Sequence, residues 1–251
     1  MSEPNLHYVS CPDASGGHRM AYWAWGDVSS DHVVICAHGL ARQARDFDVL
    51  AQALCARATQ PLRVICPDVV GRGQSDWLKD PVGYQIPAYA ADMMALLMQL
   101  KPATLDWVGT SMGGLIGLVV AGQKDIPLPC PVRRLVLNDV GPTLQWQALQ
   151  RIGEYLGRPM QFDSLQQAAD ALWAISTSFG PHTPDQWLAL SRHMVKPLAD
   201  GSARLTLHYD PAISVPFAEV TQESAAQGEA LLWHLFDQIT AQTLVTRGAQ
   251  S

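Results

Sequence analysis

The 251 residues carry 17 Lys and Arg against 23 Asp and Glu, a formal charge of −6, with 48% hydrophobic and 16% charged residues. That composition belongs to globular chains with a core large enough to need no disulfide or metal staple, and lies far from the disordered range. An acidic chain without a Lys/Arg run is excluded as a typical binder of the phosphate backbone, where affinity comes from neutralising charge.

Residues 1–10 hold Glu3 and Pro4 and no apolar stretch, so no signal peptide is expected. The longest apolar run, residues 115–121, is far short of the roughly 20 residues that cross a bilayer. Strand-like runs over residues 18–25 and 33–37 come first, then a helix with Phe47, Leu50, Ala51 and Leu54 on one face. A strand over residues 62–66 leads into the turn Pro67-Asp68-Val69-Val70-Gly71-Arg72-Gly73. The next helix spaces Tyr89, Met93, Leu96, Leu97 and Leu100 on one side and stops at Lys101, before Pro102. A strand over residues 104–108 meets Gly109, and a Gly-rich helix runs from about Met112 to Gln123. Residues 132–137 form another short apolar strand, closed by Asn138-Asp139-Val140-Gly141-Pro142. This alternation predicts an α/β sheet with crossover helices.

Over residues 142–228 the texture changes: strand-like runs vanish and three amphipathic helices are expected. The first carries Trp146, Leu149, Ile152 and Leu156, and the second Leu165, Ala168, Ala169 and Leu172. The third opens with Thr183-Pro184-Asp185-Gln186, an N-cap Thr, a Pro at the first helical position and a capping-box Gln. Four of the eight Trp and four of the five Phe fall between Trp146 and Phe236, as for a helical insertion with its own small core. A helix around residues 231–239 and a strand over residues 243–246 return to the sheet. The expected division is a core over 1–141, a helical cap over 142–228 and a return to the core over 229–251. The five cysteines include no CxxC and no His at ligand spacing, so no metal is expected on them and a reducing cytoplasm fits.

Gly109-Thr110-Ser111-Met112-Gly113 is a G-x-S-x-G set between a strand and a helix. So tight a reversal strains Ser111, exposes its Oγ above the sheet and needs Gly109 and Gly113 because a Cβ would collide across the turn. Ser111 is therefore the candidate nucleophile; the alternative is a Gly-rich turn whose Ser merely caps the helix. His38-Gly39-Leu40 follows the strand at 33–37. The N–H groups of Leu40 and Met112 are expected to form an oxyanion hole, with Gly39 letting the loop pass close. His38 reads as a brace of that loop rather than as the general base.

With His38-Gly39, Asp68-x-x-Gly71-x-Gly73-x-Ser75, Gly109-Thr110-Ser111-Met112-Gly113-Gly114, Leu137-Asn138-Asp139-Val140-Gly141-Pro142 and the strand and turn at 243–248 in this order, the chain resembles the α/β-hydrolase superfamily, in the manner of a capped bacterial serine hydrolase. The resemblance spans essentially the whole chain. It implies a mostly parallel sheet, a helical cap inserted after the sixth strand and a triad in the chain order Ser, acid, His. A Ser at the elbow speaks against the dehalogenase and epoxide-hydrolase branches, which place Asp there.

The family takes its acid from the turn after the strand ending near Arg247-Gly248, and its His after a further helix and strand. The sequence ends at Ser251, and His182, His193, His208 and His234 all fall in the cap or its return helix. The acid and His are accordingly expected beyond residue 251, with the last helix, strand and helix of the fold; the alternative is a relative without a triad that binds rather than cleaves. Asp139 is a candidate acid, since some capped relatives take theirs from the end of the sixth strand; otherwise it organises the turn into the cap. Trp146, Trp187 and Phe217 are candidate pocket residues under the cap, with His208 a candidate lid contact. The expected activity is carboxylic-ester hydrolysis through an acyl-Ser111 intermediate on a small-molecule ester, without metal or organic cofactor. A C–C bond hydrolase on a diketone-like substrate is the alternative of the same class.

Overall fold

The structure, a computed structural model, describes residues 3–249. It begins with β1 (Asn5–Cys11), β2 (His18–Gly26), β3 (His32–Ala37), α1 (Asp48–Arg57) and β4 (Arg63–Pro67). Next come α2 (Ile86–Leu100), β5 (Thr104–Thr110), α3 (Met112–Gly122) and β6 (Val132–Asn138). There the chain leaves the sheet for α4 (Trp146–Gly153), β7 (Gln161–Phe162), α5 (Leu165–Ala174), α6 (Pro184–Arg192), β8 (Val195–Pro197), β9 (Leu205–Leu207) and α7 (Ser214–Ala218). It returns through α8 (Gln222–Phe236) to β10 (Gln242–Thr246).

The main sheet has the order β1-β2-β4-β3-β5-β6-β10. Its two pairings on the β1 side are antiparallel and the other four are parallel. Residues 33–37 of β3 are all buried, as a parallel strand covered on both faces requires. One face packs Met93, Leu96 and Leu97 of α2 and Ile116 and Val120 of α3 onto Ile35, Ile65, Leu105 and Leu135. The other buries Val34, Cys36, Val64 and Cys66 beneath Phe47 and Ala51. The expected end of α2 is observed: Lys101 takes a left-handed conformation at φ 49° and donates its N–H to Leu97 O.

The expected capping box of α6 is present, with Thr183 and Gln186 bonded reciprocally. Three details differ from the sequence reading. Strand β1 escapes the hydrophobic pattern because the edge alternates polar residues with Leu6, Tyr8 and Val9. The region between β6 and β10 is not wholly helical, since β7, β9 and β8 form a small antiparallel sheet. Strands of two or three residues are too short to show a period. Finally, α8 begins at Gln222, so a boundary at residue 228 falls inside a helix.

Candidate active site

Strand β5 and helix α3 meet at Ser111, which has φ 50° and ψ −116° and is exposed to solvent. A positive φ on a residue with a Cβ is strained, and the surroundings hold it there. Ser111 N–H donates to Asn138 O on β6 at 3.0 Å, while Ser111 O accepts from Gly114 N and Leu115 N at 2.9 and 3.1 Å. A Cβ on Gly113 would overlap the carbonyl of Ala37, and one on Gly109 would overlap the backbone of Gly113. The Trp107 indole N–H adds a bond to Gly113 O at 3.0 Å. Helix α3 is thereby pressed onto the sheet with Ser111 at its N-terminal end.

The loop after β3 lies beside it. A Cβ placed on Gly39 would stand 3.8 Å from Ser111 Cβ and 3.5 Å from Arg42 Cγ. That is ordinary contact, so glycine here spares room next to the serine hydroxyl rather than relieving a clash. His38 is buried, donates from Nδ1 to Gly39 O at 2.7 Å and accepts the Val69 N–H on Nε2 at 3.0 Å. Burial pushes its pKa down to about 3, so the ring is neutral and both nitrogens are engaged. It braces the loop.

Gly39 O also accepts from Arg42 N at 3.1 Å. The planar trans peptide then turns the Leu40 N–H the opposite way. Among the described residues, neither the Leu40 N–H nor the Met112 N–H has a hydrogen-bond partner, and no side chain bonds the Ser111 hydroxyl. Two backbone donors without partners thus belong to the loop beside Ser111 and to the first residue of the helix after it.

The turn after β4 supports this loop. Asp68 is buried and accepts from Ala44 N, Gln74 N and Trp23 Nε1 at 2.8, 3.0 and 3.3 Å. Burial pushes its pKa up to about 6 against those donors. Gly73, at φ 53°, has the Asp68 carboxyl where a Cβ would go. Arg72, which sequence alone does not single out, is fully buried and donates from Nε to Leu40 O at 2.9 Å. Its one available signal was an arginine between two turn glycines directly after an apolar strand.

Asp139 follows β6 at φ 56°, exposed, with its N–H on Thr246 O at 2.8 Å and its Oδ1 accepting from Gly248 N at 2.9 Å. It joins the end of β6 to the turn after β10. Trp146 and Phe217 line one groove, of about 430 Å³, between α4 and α7. Trp187 is not brought to that groove: it is buried between α5 and α6 against Trp173, its indole N–H on Ala169 O at 2.8 Å. A Trp at helical spacing reads alike as core or lining, and here the helices need it as core. His208 lines a second cavity with Trp23, Asp68, His193 and Lys196, and its carbonyl accepts from Gly73 N at 3.1 Å. Neither cavity includes Ser111.

A thiol, an imidazole and a carboxylate also meet away from this site, with ligand atoms of Cys11, His18 and Asp92 within 4.8 Å of one another. The β1–β2 register pairs Cys11 with His18, a neighbourhood invisible in linear spacing. The ring is already held by Asp92 on Nε2 at 3.0 Å and Asp13 on Nδ1 at 2.9 Å.

Residues 32–182 match the family described as alpha/beta hydrolase fold. The chain belongs to this family. It is 49% identical over 252 residues to the 3-hydroxybutyrate-oligomer hydrolase of Cupriavidus necator, covering 100% of this chain and 83% of that protein. An alpha/beta hydrolase from Novosphingobium aromaticivorans superposes with a TM-score of 0.79 at 33% identity, over 98% of this chain and 81% of that one. A putative hydrolase from Rickettsia typhi gives 0.80 at 29% identity, over 97% and 81%. The α/β-hydrolase resemblance and the mostly parallel sheet are thus established.

Proposed function

We propose that the protein is a serine ester hydrolase that cleaves oligomeric esters of short hydroxy acids through an acyl-Ser111 intermediate. The observation that carries this reading is the pair of unpartnered N–H groups, Leu40 in the loop beside an exposed and strained Ser111 and Met112 directly after it. Ser111 Oγ attacks the ester carbonyl, and the oxygen that gains charge is received by those two donors. One such donor is worth roughly 3 kcal/mol of transition-state stabilisation. The alcohol leaves, and water then releases the acid. No described His bonds Ser111 Oγ, so the reading assigns the proton to a histidine outside the described residues. The substrate class is supported by the Cupriavidus necator relative, which is named for hydrolysis of 3-hydroxybutyrate oligomers. Helices α4 to α7 serve as a cap, and the groove of Trp146 and Phe217 receives part of the chain. Five free cysteines fit a cytoplasmic setting.

The test is hydrolysis of 3-hydroxybutyrate dimer and trimer by the full-length protein, with fluorophosphonate labelling of Ser111. Turnover that Ser111→Ala reduces by roughly 10³-fold or more, and labelling lost in the same variant, are expected. Turnover of a vinylogous diketone without ester turnover would replace the reading by C–C bond hydrolysis. Tight binding of the oligomer without labelling or turnover would replace it by a ligand-binding relative.

A further inference from the structure

Arg72 has 0% exposure, yet all its hydrogen-bond partners are neutral. Nε donates to Leu40 O at 2.9 Å, and Nη1 to Val70 O at 2.7 Å and Tyr89 Oη at 3.0 Å. Nη2 faces Met112 Sδ at 3.7 Å, and the guanidinium carbon sits 4.9 Å from the Tyr89 ring centre and 5.8 Å from that of Tyr84. Asp210 is one step removed, accepting from Tyr84 Oη at 2.6 Å. The guanidinium is thus a buried cation without a direct anionic partner. The same guanidinium touches both residues whose N–H groups lack partners beside Ser111.

Its reach into the loop is specific. The peptide on the N-terminal side of Leu40 is pinned by His38 and Arg42, which both donate to Gly39 O. The peptide on its C-terminal side is pinned by Arg72. The main chain of Arg72 also pairs with Tyr209 in an isolated bridge, and Asp210 N donates to Gly71 O at 2.7 Å. The segment returning from β9 therefore rests on the turn that carries Arg72.

We propose that Arg72 is a positioning residue of the oxyanion hole: its buried cation fixes the Leu40 carbonyl and seats the Met112 side chain, so that both N–H donors stay aimed at the charge that develops beside Ser111. This rests on the serine reading above. The donors themselves are Leu40 and Met112; Arg72 holds them and adds positive potential behind them.

The experiment compares Arg72→Met, Arg72→Lys and Tyr89→Phe in the full-length protein. It reads kcat and KM on p-nitrophenyl butyrate, the rate of fluorophosphonate labelling and thermal unfolding. Arg72→Met is expected to lower kcat and the labelling rate by roughly 30- to 100-fold with KM within about twofold, because the effect is confined to the transition state. Arg72→Lys, which keeps the charge without the fork, recovers part of that loss. A folded Arg72→Met protein with kcat within about threefold of wild type, or with only KM changed, overturns the proposal. Should Arg72→Met fail to fold, Tyr89→Phe decides by removing one acceptor of the guanidinium: a loss of roughly three- to tenfold in kcat supports the role, and unchanged kcat refutes it. A wild-type protein neither active nor labelled overturns the serine reading itself, whereas a labelled wild type with an unaffected Arg72→Met overturns the positioning role alone.

Discussion

Gly113 stands directly against the carbonyl of Ala37, with no room for a side chain between the first turn of α3 and the end of β3. This contact sets the depth at which the helix sits on the sheet, and with it the height of Ser111 above the strand ends. Gly113→Ala must push two buried backbone segments apart, which overpacking data place at about 1–3 kcal/mol or more. Thermal unfolding is expected to show that loss, together with slower labelling of Ser111. An alanine variant as stable and reactive as wild type would remove the contact from the account of the elbow.

Asp139 offers a clean separation of two roles. Asn tolerates a left-handed backbone and can accept the Gly248 N–H, so Asp139→Asn preserves the turn. Activity on p-nitrophenyl butyrate is expected to stay within about threefold of wild type, whereas replacing the acid of a Ser-His-Asp triad in this way costs about 10⁴-fold. A loss of that size would assign Asp139 as the acid.

His38 makes stability depend on acid. Its folded pKa, pushed down to about 3 by burial, lies below the 6.5 of the free side chain. The unfolded chain therefore binds the proton first, and the contribution of His38, complete above pH 6.5, is lost as the pH falls from 6.5 toward 3. Unfolding midpoints measured across that window should fall, and His38→Gln should flatten the slope while lowering stability at neutral pH.

His18 acts with the opposite sign. The hydrogen bond that its Nε2–H donates to Asp92, followed by those with Cys11 and Asp13, raises its pKa to about 11. Its contribution is present in full below 6.5 and fades as the pH rises from 6.5 to about 11. Asp92→Asn is expected to weaken the alkaline loss of stability and leave the His38 window unchanged. An alkaline profile identical to wild type would contradict the pairing.

Trp187 and Trp146, both between β6 and β10, should part company on mutation. Trp187→Ala opens a cavity in the α5–α6 core and is expected to destabilise by about 3–5 kcal/mol. Trp146→Ala, in the half-exposed groove, is expected to spare the unfolding midpoint and raise KM for the longer oligomers. The reverse pattern would move the substrate to the α5–α6 side.

The parallel strands were legible because burial on both faces leaves continuous apolar runs such as residues 33–37, and α6 because its cap is written in four consecutive residues. The elbow was legible because glycines were required on both sides of Ser111. What stayed hidden depends on contacts distant in sequence. Nothing near Arg72 announces a bond to Leu40, 32 residues earlier, nor anything near His18 a bond to Asp92, 74 residues later. Trp187 was misplaced because helical spacing reveals a buried face without revealing what buries it.

Thr143 Oγ1 accepts from the Trp233 indole at 3.1 Å and donates to Glu229 Oε1 at 3.1 Å, across 90 and 86 residues of chain. One hydroxyl thus clasps the two ends of the long excursion, in addition to the bonds of Asp139 with Thr246 and Gly248. A loop with clasped ends can be lengthened, shortened or exchanged at little cost to the strands beneath, because closure entropy grows only slowly with its length. The parts of that excursion that do not rest on the Arg72 turn are therefore free to change in length while the strands and the serine turn are kept.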